Sequence, residues 1–173
     1  MKFEQMPVGL NPPESITCVV EVPKGGTNKF EYDEQYEVFR LDRVLHSPLY
    51  YPCDYGFIPQ TRADDGDHLD ALIVVTLPSF TGAVIECRPV GMLRMRDDKG
   101  MDMKLLCVPV NDPRFRSIYR LEHLAPHILK EISHFFEIYK NLEKKMVQVE
   151  GWENDDAAKQ EILRCAEVYK KLG

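Results

Sequence analysis

A mainly β, α+β architecture, in which a small barrel or strongly curved sheet carries packed helices, is what the 173-residue sequence predicts. Short strand signals broken by Gly, Pro and Asn fill most of the chain, and apolar residues recur at helical spacing only toward its end. Neither an internal repeat nor a linker interrupts it. The length is close to the ~150 residues of a typical domain, so residues 1–173 are read as a single domain.

The elements follow in order. Ile16–Val22 alternates as a strand and ends at Pro23 before the turn Lys24-Gly25-Gly26-Thr27-Asn28. Lys29–Asp33 and Val38–Leu45 read as the next two strands. Tyr50–Pro59 is aromatic and holds two prolines, which favours an extended, folded-back segment over a helix. Ala71–Leu77 reads as a buried strand. Val84–Met95 and Met103–Val110 form a long hairpin across Asp98-Lys99-Gly100. Pro126–Lys144 carries apolar residues at 128, 129, 132, 135, 136, 139 and 142, with Pro126 suited to a first helical turn. Val147–Val149 is a short strand, and Asp155 or Asp156 is expected to cap a last helix through Leu172, stopped by Gly173.

Composition excludes several classes. A net charge of −6 gives no basic footprint for nucleic acid or an anionic membrane. The apolar runs are too short to span a bilayer, and the N-terminus lacks the apolar core of a leader. The five cysteines form no CxxC pair and read as reduced core thiols of a cytoplasmic protein rather than a disulfide or zinc framework.

Acid is unevenly placed: seven of thirteen Asp fall between Asp64 and Asp102. Asp64-Asp65-Gly66-Asp67-His68-Leu69-Asp70 crowds four carboxylates that repel one another and invite a divalent cation, with Gly66 allowing the turn that aims them. A solvated acidic turn is the alternative. An EF-hand does not fit, because twelfth positions counted from Asp64 or Asp65 fall on Val75 or Thr76. Asp97 and Asp102 flank the hairpin turn and are expected to lie close across it, with Lys104 on the face of Asp102. Glu21, Lys29 and Glu31 fall on neighbouring strands, Arg43 in an apolar strand, and Tyr139-Lys140 near the end of the long helix, where Tyr139 also reads as core.

Together these residues carry a resemblance. Glu-Val-Pro-Lys-Gly-Gly-Thr-Asn-Lys-Phe-Glu at 21–31, Leu-Asp-Arg-Val-Leu at 41–45, Tyr-Pro-Cys-Asp-Tyr-Gly-Phe-Ile-Pro at 51–59 and Asp-Gly-Asp-His-Leu-Asp at 65–70 come first. Arg-Pro-Val-Gly-Met-Leu at 88–93, Asp97–Lys104, His-Phe-Phe-Glu-Ile-Tyr-Lys at 134–140 and Val-Glu-Gly-Trp at 149–152 complete the order. In this order they resemble the soluble inorganic pyrophosphatases of family I, in their short prokaryotic form, over nearly the whole chain.

The resemblance implies an OB-type five-stranded β-barrel with two C-terminal helices, a cytoplasmic homohexamer, and Mg²⁺-dependent hydrolysis of inorganic diphosphate to two phosphates. It implies Asp65, Asp70 and Asp102 as principal metal ligands, with Asp97 and Glu31 serving further metals. Asp67 would be the base facing an activated bridging water. Lys29, Arg43, Tyr55, Tyr139 and Lys140 would hold phosphate, supported by Lys104, with Glu21 and Tyr51 lining the site. Two positions depart from the family pattern: His68 stands where Pro is usual, and Met101 where Glu is usual. They imply a freer Asp loop and a weaker outer metal site. Beside Asp65, Asp67 and Asp70, His68 is expected either to favour its imidazolium form when metal is absent or to point into solvent.

Charge arithmetic agrees with the resemblance. Candidate carboxylates outnumber candidate cations, so the metal-free site repels an anionic diphosphate, and several Mg²⁺ reverse that sign. Oxygen donors suit Mg²⁺, with Mn²⁺ or another divalent ion possible, and no His/Cys set competes for zinc. Two other readings stay open: a related metal-dependent hydrolase of nucleotides or polyphosphate, and a non-catalytic barrel-type binding module.

Overall fold

The structure, a computed structural model, describes residues 2–98 and 100–172. Eight strands and two α-helices follow one another as β1 (Ile16–Val22), β2 (Asn28–Asp33), β3 (Val38–Val44), β4 (Asp54–Ile58), β5 (Leu69–Ile73), β6 (Val84–Asp97), β7 (Gly100–Pro109), α1 (Pro126–Ile138), β8 (Gln148–Glu153) and α2 (Asp155–Leu172). The expected turn residue Lys99 and the expected stop at Gly173 lie outside the described residues.

Strands pair in the order β1-β4-β5-β7-β6, and β6 returns to β1, which closes a ring of five. The 14-residue β6 serves two neighbours: Val84–Cys87 pairs with β1, and Met92–Arg96 pairs with β8. All pairings in the ring are antiparallel except β5–β7, where Asp70 lies beside Lys104 and Leu72 beside Leu106. β2 and β3 form a separate two-stranded ribbon. The fold is thus mainly β with two helices, as the sequence predicts.

Alternation divides the ring strands between two apolar layers. Leu69, Ala71 and Ile73 of β5 and Leu105 and Cys107 of β7 pack with Ala158, Ile162 and Cys165 of α2. Their neighbours Leu72, Leu106 and Val108 pack instead with Ile132, Phe135 and Phe136 of α1. Both faces of these strands are buried, which explains their near-continuous apolar sequence. Gly56 of β4 permits the closest approach in the ring. A Cβ there would stand 1.9 Å from the Val19 carbonyl oxygen, well inside contact distance.

Several boundaries differ from expectation. The long helix stops at Ile138, not Lys144, and a single 3₁₀ turn, Asn141–Glu143, follows. The apolar stripe does continue to Leu142, but that side chain is 61% exposed, so no core rewards another helical turn there. β5 begins at Leu69 and ends at Ile73, short of Leu77, which is 78% exposed. The hairpin strands run closer to the turn, to Asp97 and from Gly100, and β8 extends to Glu153. The last helix is capped by Asn154, whose Oδ1 accepts from the Ala157 amide at 2.9 Å, rather than by Asp155 or Asp156.

All five cysteines are free and buried, as expected. Among the described residues no helix is long and apolar enough to cross a membrane.

Candidate active site

A cleft of about 530 Å³ opens over β5 and β7 and is bounded by the β2–β3 ribbon and the end of α1. It gathers every residue to which the resemblance assigns a site role: Asp67; Lys29, Arg43, Tyr55, Lys104, Tyr139 and Lys140; Asp65, Asp70, Asp102, Asp97 and Glu31; and Glu21 and Tyr51. Tyr32, Glu34, Asp42, Arg62, Asp98, Phe136 and Lys145 line it too. Sequence reasoning passed these over because isolated charges look like surface and Phe136 looks like core. Asp42 beside Arg43, and Arg62 just before the Asp-rich run, were the signals available.

Lys104 sits at the centre. Its side chain is 3% exposed, and Nζ lies 2.6 Å from Asp70 Oδ2 and 3.0 Å from Asp102 Oδ1. β5–β7 pairing sets Asp70 beside Lys104, and alternation along β7 puts Asp102 on the same face. Nζ also lies 5.4 Å from the Tyr55 ring and 5.3 Å from that of Phe136, aromatic faces that favour a cation. Burial pulls the Lys104 pKa down, but Asp102 and Asp70 outweigh it and hold the ammonium well above its usual range. Asp102 is pushed up by burial and by Asp70, against the pull of Lys104. With the ammonium held charged, Asp102 is the member of this group that takes up a proton more readily than usual.

Asp97 and Asp102 share the cleft across the hairpin without being directly opposed. Asp97 pairs with Gly100 and Asp102 with Met95, so the two carboxylates are diagonal. Each has its own cation: Lys140 Nζ is 3.1 Å from Asp97 Oδ2, and Lys104 serves Asp102. The early helix end at Ile138 allows this. Tyr139 closes the helix and Lys140 leaves it, so its side chain reaches the hairpin.

On the ribbon, Lys29 pairs with Glu31. Arg43 lies 2.7 Å from Asp42 and 3.6 Å from Glu143. Burial pushes the Tyr55 and Tyr51 phenols well above their usual range, so both remain O–H donors at neutral pH.

Glu21 is buried and accepts from the Tyr32 amide at 2.9 Å. Burial pushes its carboxyl up to about 8, against Lys29 and the Tyr32 amide. The native state therefore binds a proton that the unfolded chain gives up near its ordinary 4.5. Stability of the metal-free protein should fall as pH rises from about 4.5 to about 8, by at most about 1.4 kcal/mol per unit from this group. Urea melts in chelator across that range should show the gradient in the wild type and a flatter profile in Glu21→Gln.

Backbone and hydroxyl bonds tie the Asp loop at several points. Thr61 Oγ1 donates to the Ile58 carbonyl and accepts from the Leu69 amide at 2.9 Å; the Ala63 amide bonds the Asp67 carbonyl at 2.8 Å. Asp65 Oδ1 accepts from the Asp67 amide at 3.0 Å across Gly66, whose φ of +89° suits glycine. Asp64 leaves the group and pairs with Arg164 of α2 at 2.9 Å. His68 does not point into solvent. Its ring stacks on Phe57 at 5.0 Å, Nδ1 donates to the Thr61 carbonyl at 2.9 Å, and Nε2 faces Glu34 at 2.8 Å. Burial lowers its pKa, with Thr61 and Glu34 opposing.

Carboxylate oxygens, two buried lysines and phenolic donors around one cleft on a closed β ring define a site for a hard divalent cation and a multiply charged oxyanion. The family described as Inorganic pyrophosphatase matches residues 18–170. An inorganic pyrophosphatase of Methanosarcina mazei is 51% identical over 161 residues, covering 91% of this chain and 95% of the relative. That of Aquifex pyrophilus is 46% identical over 176 residues, covering 100% and 99%. The crystal structure of the Thermus thermophilus inorganic pyrophosphatase superposes with a TM-score of 0.95 at 43% identity, over 98% of this chain and 99% of the other. The chain belongs to the inorganic pyrophosphatases of family I, in their short prokaryotic form, and is an inorganic diphosphatase.

Proposed function

We propose that this diphosphatase works with several Mg²⁺ ions held by Asp65, Asp70 and Asp102, with Asp97 and Glu31 serving further ions, and with Asp67 as general base. The family implies a divalent metal, and the donor set fits one: every candidate ligand is a carboxylate, the set preferred by Mg²⁺. The observation that carries the reading is Lys104. Its ammonium lies between Asp70 and Asp102, so two acidic runs distant in sequence meet around one positive charge.

Bound Mg²⁺ supplies the positive charge that lets an anionic diphosphate enter an acidic cleft, and it acidifies water. Asp67 takes the proton of the attacking water as that oxygen bonds to one phosphorus and the bridging P–O bond breaks. Lys29, Arg43, Tyr55, Tyr139 and Lys140 hold the phosphate oxygens and leaving group by charge and O–H donation. Lys104 keeps Asp70 and Asp102 in place, and Glu21 and Tyr51 line the wall. A homohexamer belongs to the same reading.

Phosphate release from diphosphate, with and without Mg²⁺ and compared with ATP and tripolyphosphate, tests the function. Diphosphate should be preferred and Mg²⁺ required. Asp65→Ala, Asp70→Ala and Asp102→Ala should each move the Mg²⁺ midpoint upward as well as lower the rate. Unchanged midpoints in all three would sink the shared site.

A further inference from the structure

Three cysteines that the reaction does not use converge on the opposite layer from the cleft. Cys18 of β1, Cys87 of β6 and Cys107 of β7 are 0% exposed, and their sulfurs all lie within 4.8 Å of one another. Cys18 and Cys107 are 3.8 Å apart. Three sulfurs bonded at about 2.3 Å to one ion that keeps a lone pair form a pyramid and stand about 3.5 Å apart. The trio must therefore contract to close on one, least between Cys18 and Cys107. We infer that Cys18, Cys87 and Cys107 form a binding site for a trivalent thiophilic ion of the arsenite class.

Charge selects the ion. The surroundings are Ile16, Val20, Ile73, Leu105 and Ile162, an apolar layer. Three thiolates around a trivalent ion are neutral; around Zn²⁺ they keep one negative charge, and around Cu⁺ two, which such a layer penalises heavily. Zinc also asks for a fourth ligand. Cys165 cannot supply it, because its thiol faces Glu161 at 3.4 Å, and Cys53 belongs to the other layer. Capture of As(OH)₃ exchanges each As–O bond for an As–S bond, each thiol proton leaving with hydroxide as water. Arsenic stays trivalent and no electrons move.

The test uses reduced full-length protein with saturating Mg²⁺, so the carboxylates are occupied. Arsenite is added at a temperature and for a time at which the amides of the three cysteines exchange fully in D₂O, ensuring that the core has opened. The expected result is one arsenic per chain by native mass spectrometry, three sulfur neighbours by arsenic-edge absorption, and protection of Cys18, Cys87 and Cys107 alone from alkylation. Cys53→Ala/Cys165→Ala should bind equally, and Cys18→Ala, Cys87→Ala and Cys107→Ala should each lose the adduct. The wild-type protection map decides the question even if a core variant fails to fold. No adduct after complete exchange, protection of Cys53 or Cys165 instead, or loss of two hydrogens as a Cys18–Cys107 disulfide would overturn the inference.

Discussion

Asp67→Asn is expected to lower diphosphate turnover by on the order of 10²–10⁴, the usual cost of removing a general base. The amide keeps nearly the same volume but cannot take a proton from water. Two bonds that position residue 67 are made by its backbone and survive the change: the amide to Asp65 and the carbonyl from Ala63. The Mg²⁺ midpoint should accordingly move much less than the rate. Initial rates at neutral pH across a Mg²⁺ titration separate the two effects. Near-full turnover in the variant would remove Asp67 from the chemistry.

Lys104→Met should produce the largest stability change in the metal-free protein. It removes the ammonium between Asp70 and Asp102 and keeps an apolar stem of similar length against Tyr55 and Phe136. Breaking one side of a buried ion pair costs about 3–5 kcal/mol. The loss should shrink as pH falls, because Asp102 already leans toward its protonated form and a neutral carboxyl no longer repels Asp70. It should also shrink in saturating Mg²⁺. Urea unfolding in chelator and in Mg²⁺, each at two pH values, checks both trends. An equal loss under all four conditions would mean that Lys104 matters only as packing.

The strands of the ring were legible because their two-sided burial leaves long apolar runs, and the cleft was legible because its acids cluster along the chain. What escaped depended on partners distant in sequence. No local pattern says that the stripe of α1 loses its core at Leu142. Four crowded aspartates read alike until Arg164, a hundred residues away, draws Asp64 aside. His68 looked like a charge among charges; its place is set by the Phe57 face and the Thr61 carbonyl, which only the folding of the chain brings to it.

Closure of the ring has a kinetic side. β1 reaches β6 with Ile16 against Cys87, and β5 reaches β7 with Asp70 against Lys104, 34 residues apart. Such loops must close before their contacts reward the lost chain entropy, which places folding of this topology in the slower, roughly millisecond-to-second range. A chain arrested with only the β6–β7 hairpin formed would hold Asp102 and Lys104 but lack Asp70 and Glu21. The cleft thus has no local precursor, and regain of diphosphate hydrolysis during refolding times the joining of distant strands rather than the appearance of secondary structure.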